Sequence, residues 1–165
     1  MFGQGAEVFD RIVDSTEIRL DEITDMPILA AYNYWDSLRG DAIGPPRPSF
    51  RLETLPPRLI PCLAVIDIIG PPLDYYYRFF GTAMAEAAGR ELTGKRYYAD
   101  KVEGYGFVNA RLLPVLIERR EPMVHKTIWE SVRRVRLQTT TLRLPLSADG
   151  QTVNGAVTAN DYKYA

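Results

Sequence analysis

Between residues 62 and 80 two compact apolar runs, "CLAVIDII" and "YYYRFF", flank the turn "GPPLD". The first is rich in β-branched residues and the second in aromatics, so both read as strands of an antiparallel hairpin. Upstream, Ile28, Tyr32 (or Ala31), Trp35 and Leu38 recur at three- to four-residue spacing and so lie on one helix face. Asp25 and Pro27 stand where a helix begins and Gly40 where one ends, which predicts an amphipathic helix over 26–40. Six prolines between residues 41 and 61 remove backbone donors and favour extended geometry, so that stretch should wrap rather than coil. The first 25 residues are weakly patterned: "IRLDEI" suits a short strand, and Phe9, Ile12 and Val13 suit one face of a helical turn.

Beyond the hairpin, Gly81 ends the strand, Thr82 can cap the following amides, "AMAEAA" favours helix, and Gly89 supplies a stop. "RELTG" permits one more turn before Gly94. "NARLLPVLIERREP" predicts a longer helix with Val108, Leu112, Val115 (or Leu116) and Arg119 along one side, interrupted by Pro114. "MVHKTIWES", "VRRVRLQTTTLRLPLS" and "TVNGAVTANDY" read as three strands, the last two joined by an "ADGQ" turn. In the middle strand Val135, Leu137 and Thr139 share one parity and Leu142, Leu144 and Leu146 the other. A side-chain period of two switches face only at an extra residue, which predicts a bulge near Thr139–Thr141. The order gives an α+β fold: a five-stranded antiparallel sheet with helices on one face, plus the N-terminal helix. Residues 1–25 form an extension to a single domain over 26–165.

That order, and the phrases "YYYRFFGTAMAEAAG", "RELTGK", "LLPVLIERREP" and "RLPLSADGQTVNGAV", resemble a PAS domain. More narrowly, "YWDSLRG" followed by a Pro-rich stretch ending "LPPRLIPCLAVIDI" is similar to the small stand-alone PAS family common in alphaproteobacteria. The resemblance covers roughly residues 28 to 162. It implies sensing, ligand binding or protein interaction in signal transduction, commonly as a homodimer, and does not imply an enzyme. Fold alone assigns no function. Flavin photosensors of this family resemble "GRNCRFLQ" around a reactive cysteine; the corresponding "GRELTGKRYYAD" has none, which disfavours that cofactor. Haem-binding members place an axial histidine on the longer helix, and the only histidine, His125, lies beyond it.

Composition narrows the choices further. A net charge of −1 gives no general attraction to nucleic acid or to an anionic membrane. The charge is uneven, with seven carboxylates against two arginines over residues 7–25 and a basic second half. Two solvated faces would explain this, as would an acidic arm meeting a basic sheet. The single cysteine, Cys62, excludes an internal disulfide and reads as a buried strand residue, consistent with a cytoplasmic protein. One histidine and one cysteine without clustered partners argue against zinc. Ser15, Ser37, Ser49, Ser131 and Ser147 lack a nucleophile-elbow context, and any His-based triad would have to recruit His125. Arg134 and Arg136 lack the aromatic interleaving or recognition helix of a nucleic-acid binder.

A ligand pocket, if present, belongs between the sheet and its helical side. The candidate lining is Tyr98, Tyr105, Phe107, Leu112, Leu116 and Trp129, with Arg111 as an anion anchor. These residues also suit plain core filling. The aromatic stripe of Tyr32, Trp35 and Leu38 belongs either over its own sheet or in a homodimer, or in the site of a signalling partner.

Overall fold

The computed structural model of the chain describes residues 7–98 and 107–164. The elements run β1 (Phe9–Ile18), α1 (Met26–Arg39), β2 (Leu63–Ile69), β3 (Asp74–Phe80), α2 (Thr82–Ala88), β4 (Arg96–Tyr98), α3 (Phe107–Arg119), β5 (Met123–Ser131), β6 (Arg136–Leu146) and β7 (Gly155–Tyr164). Four short 3-10 turns punctuate the segments before β2. All strands join one antiparallel sheet in the order β1-β5-β6-β7-β2-β3-β4. The α+β class is as expected, but the sheet has seven strands rather than five. The expected five form its centre, and β1 and β4 extend its two edges.

β1 corrects the reading of the N-terminus. Phe9, Ile12 and Val13 lie on a strand rather than a helical turn, and "IRLDEI" is split between the end of β1 and a 3-10 turn at Leu20–Glu22. Most of the β1 side chains are exposed, so backbone pairing with β5 holds the strand more than alternate burial does. The uneven charge has a local use here, since Glu17 pairs with Arg119 and Glu7 with Arg133. The pair Arg11–Glu130 reverses the sense, with the cation on the arm. Phe9 anchors the strand by packing, fully buried, with Ala87, Trp129 and Leu137.

Two cores lie on opposite faces of the sheet. On one face, Ile28, Ala31 and Trp35 of α1, together with Phe50, Leu55 and Leu59 of the proline-rich wrap, cover Leu63, Val65, Leu142, Leu144, Leu146, Val157 and Ala159. On the other, Met84 of α2 and Leu112, Leu113 and Leu116 of α3 cover Ala64, Ile66, Tyr75, Tyr77 and Ala156. The alternation of 63 and 65 against 64 and 66 places the two clusters on opposite sides of the pleat. The later helices therefore share one face, as expected, and α1 takes the other.

This arrangement removes the predicted bulge. The register of β6 against β5 runs unbroken from Glu130↔Arg136 to Met123↔Arg143, and that against β7 from Leu137↔Tyr164 to Leu146↔Gly155. Leu137 is buried on the α2 and α3 side, and Leu142, Leu144 and Leu146 on the α1 side. A straight strand covered on one face at its start and on the other at its end shows a parity change without an inserted residue. The register shifts lie elsewhere, in β1 and between Val65 and Ile66 of β2, where Arg78 is the extra residue.

α1 begins as expected: the Asp25 carboxylate accepts a hydrogen bond from the Ile28 amide at 3.0 Å. Trp35 is buried, and its indole donates to the Pro145 carbonyl at 2.7 Å. Of the alternatives for the aromatic stripe, Trp35 thus lies over its own sheet and is not available as a dimer or partner contact. Tyr32 and Leu38 are half-buried against the same core. Cys62 sits in the turn Ile60–Cys62 before β2, one residue short of the strand expected to hold it, and is buried.

Phe9→Ala should destabilise the fold by about 3 kcal/mol, the range for emptying a buried phenylalanine site. Val13→Ala, on the exposed side of the same strand, should stay within about 0.5 kcal/mol. Urea unfolding of both variants tests whether β1 belongs to the cooperative unit.

Candidate functional site

The strands β5, β6 and β7 present short polar side chains toward α2 and α3. The register sets Thr127 opposite Thr139, Thr141 opposite Asn160, and Arg143 opposite Thr158. Alternation places every one of these on the same face as Trp129. With Met84 of α2 and Val108 and Asn109 of α3 they line a cavity of about 20 Å³. That is room for one water molecule.

The polar lining is largely hydrogen-bonded. Trp129 donates its indole N–H to Thr139 Oγ1 at 3.1 Å, and Thr141 donates to Asn160 Oδ1 at 2.7 Å. Thr127 shares a hydrogen bond with Ser15 of β1, and Asn109 donates to the Tyr77 hydroxyl at 2.7 Å. Thr158 differs: its hydroxyl is buried and has no hydrogen-bond partner among the described residues. A buried hydroxyl left unpaired is unfavourable by roughly 1–3 kcal/mol, so this position accepts a polar guest well. Arg143, 5% exposed, adds a guanidinium to the lining.

The expected lining is only partly brought together. Trp129 lines the cavity. Leu112 and Leu116 are buried in the α3 core, with Leu112 turned toward a small cleft beside β1. Arg111, the expected anion anchor, is exposed and lines that same cleft with Ile12, Ser15 and Val108, so it lies outside the Trp129 cavity. The guanidinium in the cavity is that of Arg143. Tyr105 lies outside the described residues, as do the side chains of Tyr98 and Phe107, whose backbones belong to β4 and α3. The lining that the sequence reading missed is a set of threonines and an asparagine at two-residue spacing, 127, 139, 141, 158 and 160. Its signal is polar residues on a strand parity whose neighbours Leu137 and Ala156 are apolar.

His125 lies on the same face of β5, directly opposite Thr141 and beside Glu17 of β1. It is buried, its Nδ1 has no hydrogen-bond partner among the described residues, and burial together with Arg143 lowers its pKa to about 4. Burial also raises the Cys62 thiol to about 11, with Asp161 and Asp25 adding to the shift, which leaves it protonated and a poor nucleophile. Among the described residues no group of three or more His, Cys, Asp or Glu side chains is placed to hold a metal ion. No described helix is long and apolar enough to cross a membrane.

No family model matches the chain, and no curated protein or solved structure matches it.

The His125 shift fixes a pH dependence. Its folded pKa, about 4, lies below its ordinary value of about 6.5, so the unfolded chain binds the extra proton between these limits. Stability is therefore complete above about pH 6.5 and falls as the pH drops toward 4, by up to about 1.4 kcal/mol per unit. Urea unfolding between pH 7.5 and 4.5 should show this fall, and His125→Gln should flatten it.

Proposed function

We propose that the chain is a PAS-like sensory or regulatory domain that binds a small polar molecule between its sheet and α3. The observation that carries this reading is the Thr158 hydroxyl, buried without a partner among the described residues in a cavity otherwise lined by Met84, Val108, Asn109, threonines, Asn160, Trp129 and Arg143. Plain core filling would favour apolar side chains here, because each buried polar group must be separately paired. The element order supports the family reading: a hairpin, a short helix, a connecting helix, and a three-stranded meander whose last strand returns to pair with the first hairpin strand.

The mechanism is a population shift. At about 20 Å³ the cavity is closed around a water-sized space, and a larger guest favours a state in which α3 stands further from the sheet. Pro114 lies inside α3 and offers no N–H to the Ala110 carbonyl, which weakens the helix where it would have to yield. The signal then leaves through a partner protein or a second copy of the chain. A second reading, a protein-binding adaptor without a ligand, is favoured by the small volume itself and by the close packing of Leu112, Leu113 and Leu116.

Native mass spectrometry of protein purified from its own host, followed by denaturation, separates the two. A stoichiometric released compound is the expected result, and a clean protein that also shows no thermal shift with small polar metabolites supports the adaptor. Thr158→Val should weaken rebinding of the released compound about three- to tenfold, the scale of one hydrogen bond. Without the compound the same variant should be as stable as the parent or more so by up to about 1 kcal/mol, since it removes an unpaired hydroxyl.

A further inference from the structure

Asn160 lines the inner cavity and also an outward groove of about 190 Å³ formed by Asp25, Pro27, Arg58, Leu59, Cys62, Asp161 and Tyr162. The sheet explains why the two spaces meet there. β2 begins at Leu63, which pairs with Ala159, so from Asn160 onward β7 has no β2 neighbour. The chain that would continue β2 instead turns away through Ile60–Cys62. A seam is left between that turn and β7, and the Asn160 side chain closes it. Its amide donates to the Cys62 carbonyl at 3.0 Å, where a strand partner would otherwise have stood, and its Oδ1 accepts from Thr141. The amide also reaches Met84 Sδ, at 3.5 Å. A single side chain, tied to three separate elements, thus divides the groove from the cavity.

We infer that the inner cavity communicates with solvent through this seam, with Asn160 as its stopper. Swinging the amide out breaks its hydrogen bonds with the Cys62 carbonyl and Thr141 and its contact with Met84 Sδ, with no strand pairing disturbed. Access from the α3 side would instead separate Leu112, Leu113 and Leu116 from the sheet before any bound guest offsets that loss of buried apolar surface. The route concerns the same cavity as the ligand reading but holds even where the only guest is water.

Trp129 reports on the cavity from inside, and its quenching by acrylamide requires no knowledge of the ligand. It is measured with Trp35 and its bond to Pro145 left in place, by resolving the lifetimes of the two tryptophans. Quenching of the parent should be weak. Asn160→Ala should raise the Trp129 quenching constant at least about threefold at an unchanged unfolding cooperativity. Asn109→Ala, which trims the cavity wall on α3, should raise it far less. Should Asn160→Ala fail to fold, Asn160→Asp keeps the shape, sets an acceptor against the Cys62 carbonyl, and should give the same increase. Equal quenching in parent and Asn160 variants, or a larger increase from Asn109→Ala, overturns the route. Either result leaves the ligand reading to the mass-spectrometric test.

Discussion

The hydrogen bond from Trp35 to the Pro145 carbonyl is the joint on which the two-faced architecture depends. Proline is normally kept out of central strands because it cannot donate to the ladder. β5 stops pairing with β6 at Arg143, so Pro145 has β7 on one side and no strand on the other. Leu146 directs its carbonyl to the Asn154 amide on the β7 side, so the neighbouring Pro145 directs its own away from β7. The missing N–H falls where no acceptor waits, and the lone carbonyl meets the indole. One exchange lets β6 outrun β5, fixes α1 over the exposed stretch, and buries the largest side chain of that helix.

Much of the remainder follows from covering a sheet at opposite ends on opposite faces. The α1 face takes the stretch of β6 beyond Thr141, and the α3 face takes the stretch before it. Between them, on the α3 side, the sheet surface carries Thr139, Thr141 and Arg143, where neither a leucine cluster nor solvent fills the space. The cavity lies where this polar middle meets the helices. Gly81 has a related geometric role at the corner where β3 gives way to α2: a Cβ there would stand 2.2 Å from the Pro61 carbonyl oxygen. The crossing of these two segments, and with it the seam beside Cys62, requires a residue without a side chain.

The sequence made the helices and central strands legible because each has an uninterrupted apolar face or clear end signals. Asp25 and Gly40 bracket α1, and Gly89 closes α2 in the left-handed conformation. β1 was not legible because "FDRIVDSTEI" buries little, and pairing to a distant strand leaves no local pattern. The parity change in β6 was visible, but two different physical causes produce it, and only the placement of α1 separates them. The site was the least legible part. Threonine is a common strand residue, and nothing local says that Thr127, Thr139 and Thr158 converge, because the convergence is a property of register. Arg111 and Arg143 are alike in sequence; one lies on an exposed helix face and the other beneath it.

The edge strand β1 also bears on how this protein meets others. In the described sheet it has a neighbour on one side only, and the outward-facing backbone groups of a ten-residue edge strand would ordinarily be a template for another chain. Its pairing with β5 is broken by two register shifts, and Asp10, Asp14 and Glu17 crowd the strand with negative charge. The register shifts twist the edge and the negative charge repels a copy of itself, so strand addition at β1 is disfavoured. Open-ended sheet growth, the hazard of any long edge, is thereby restrained in part by Glu17, the same residue whose pairing with Arg119 ties the strand to α3.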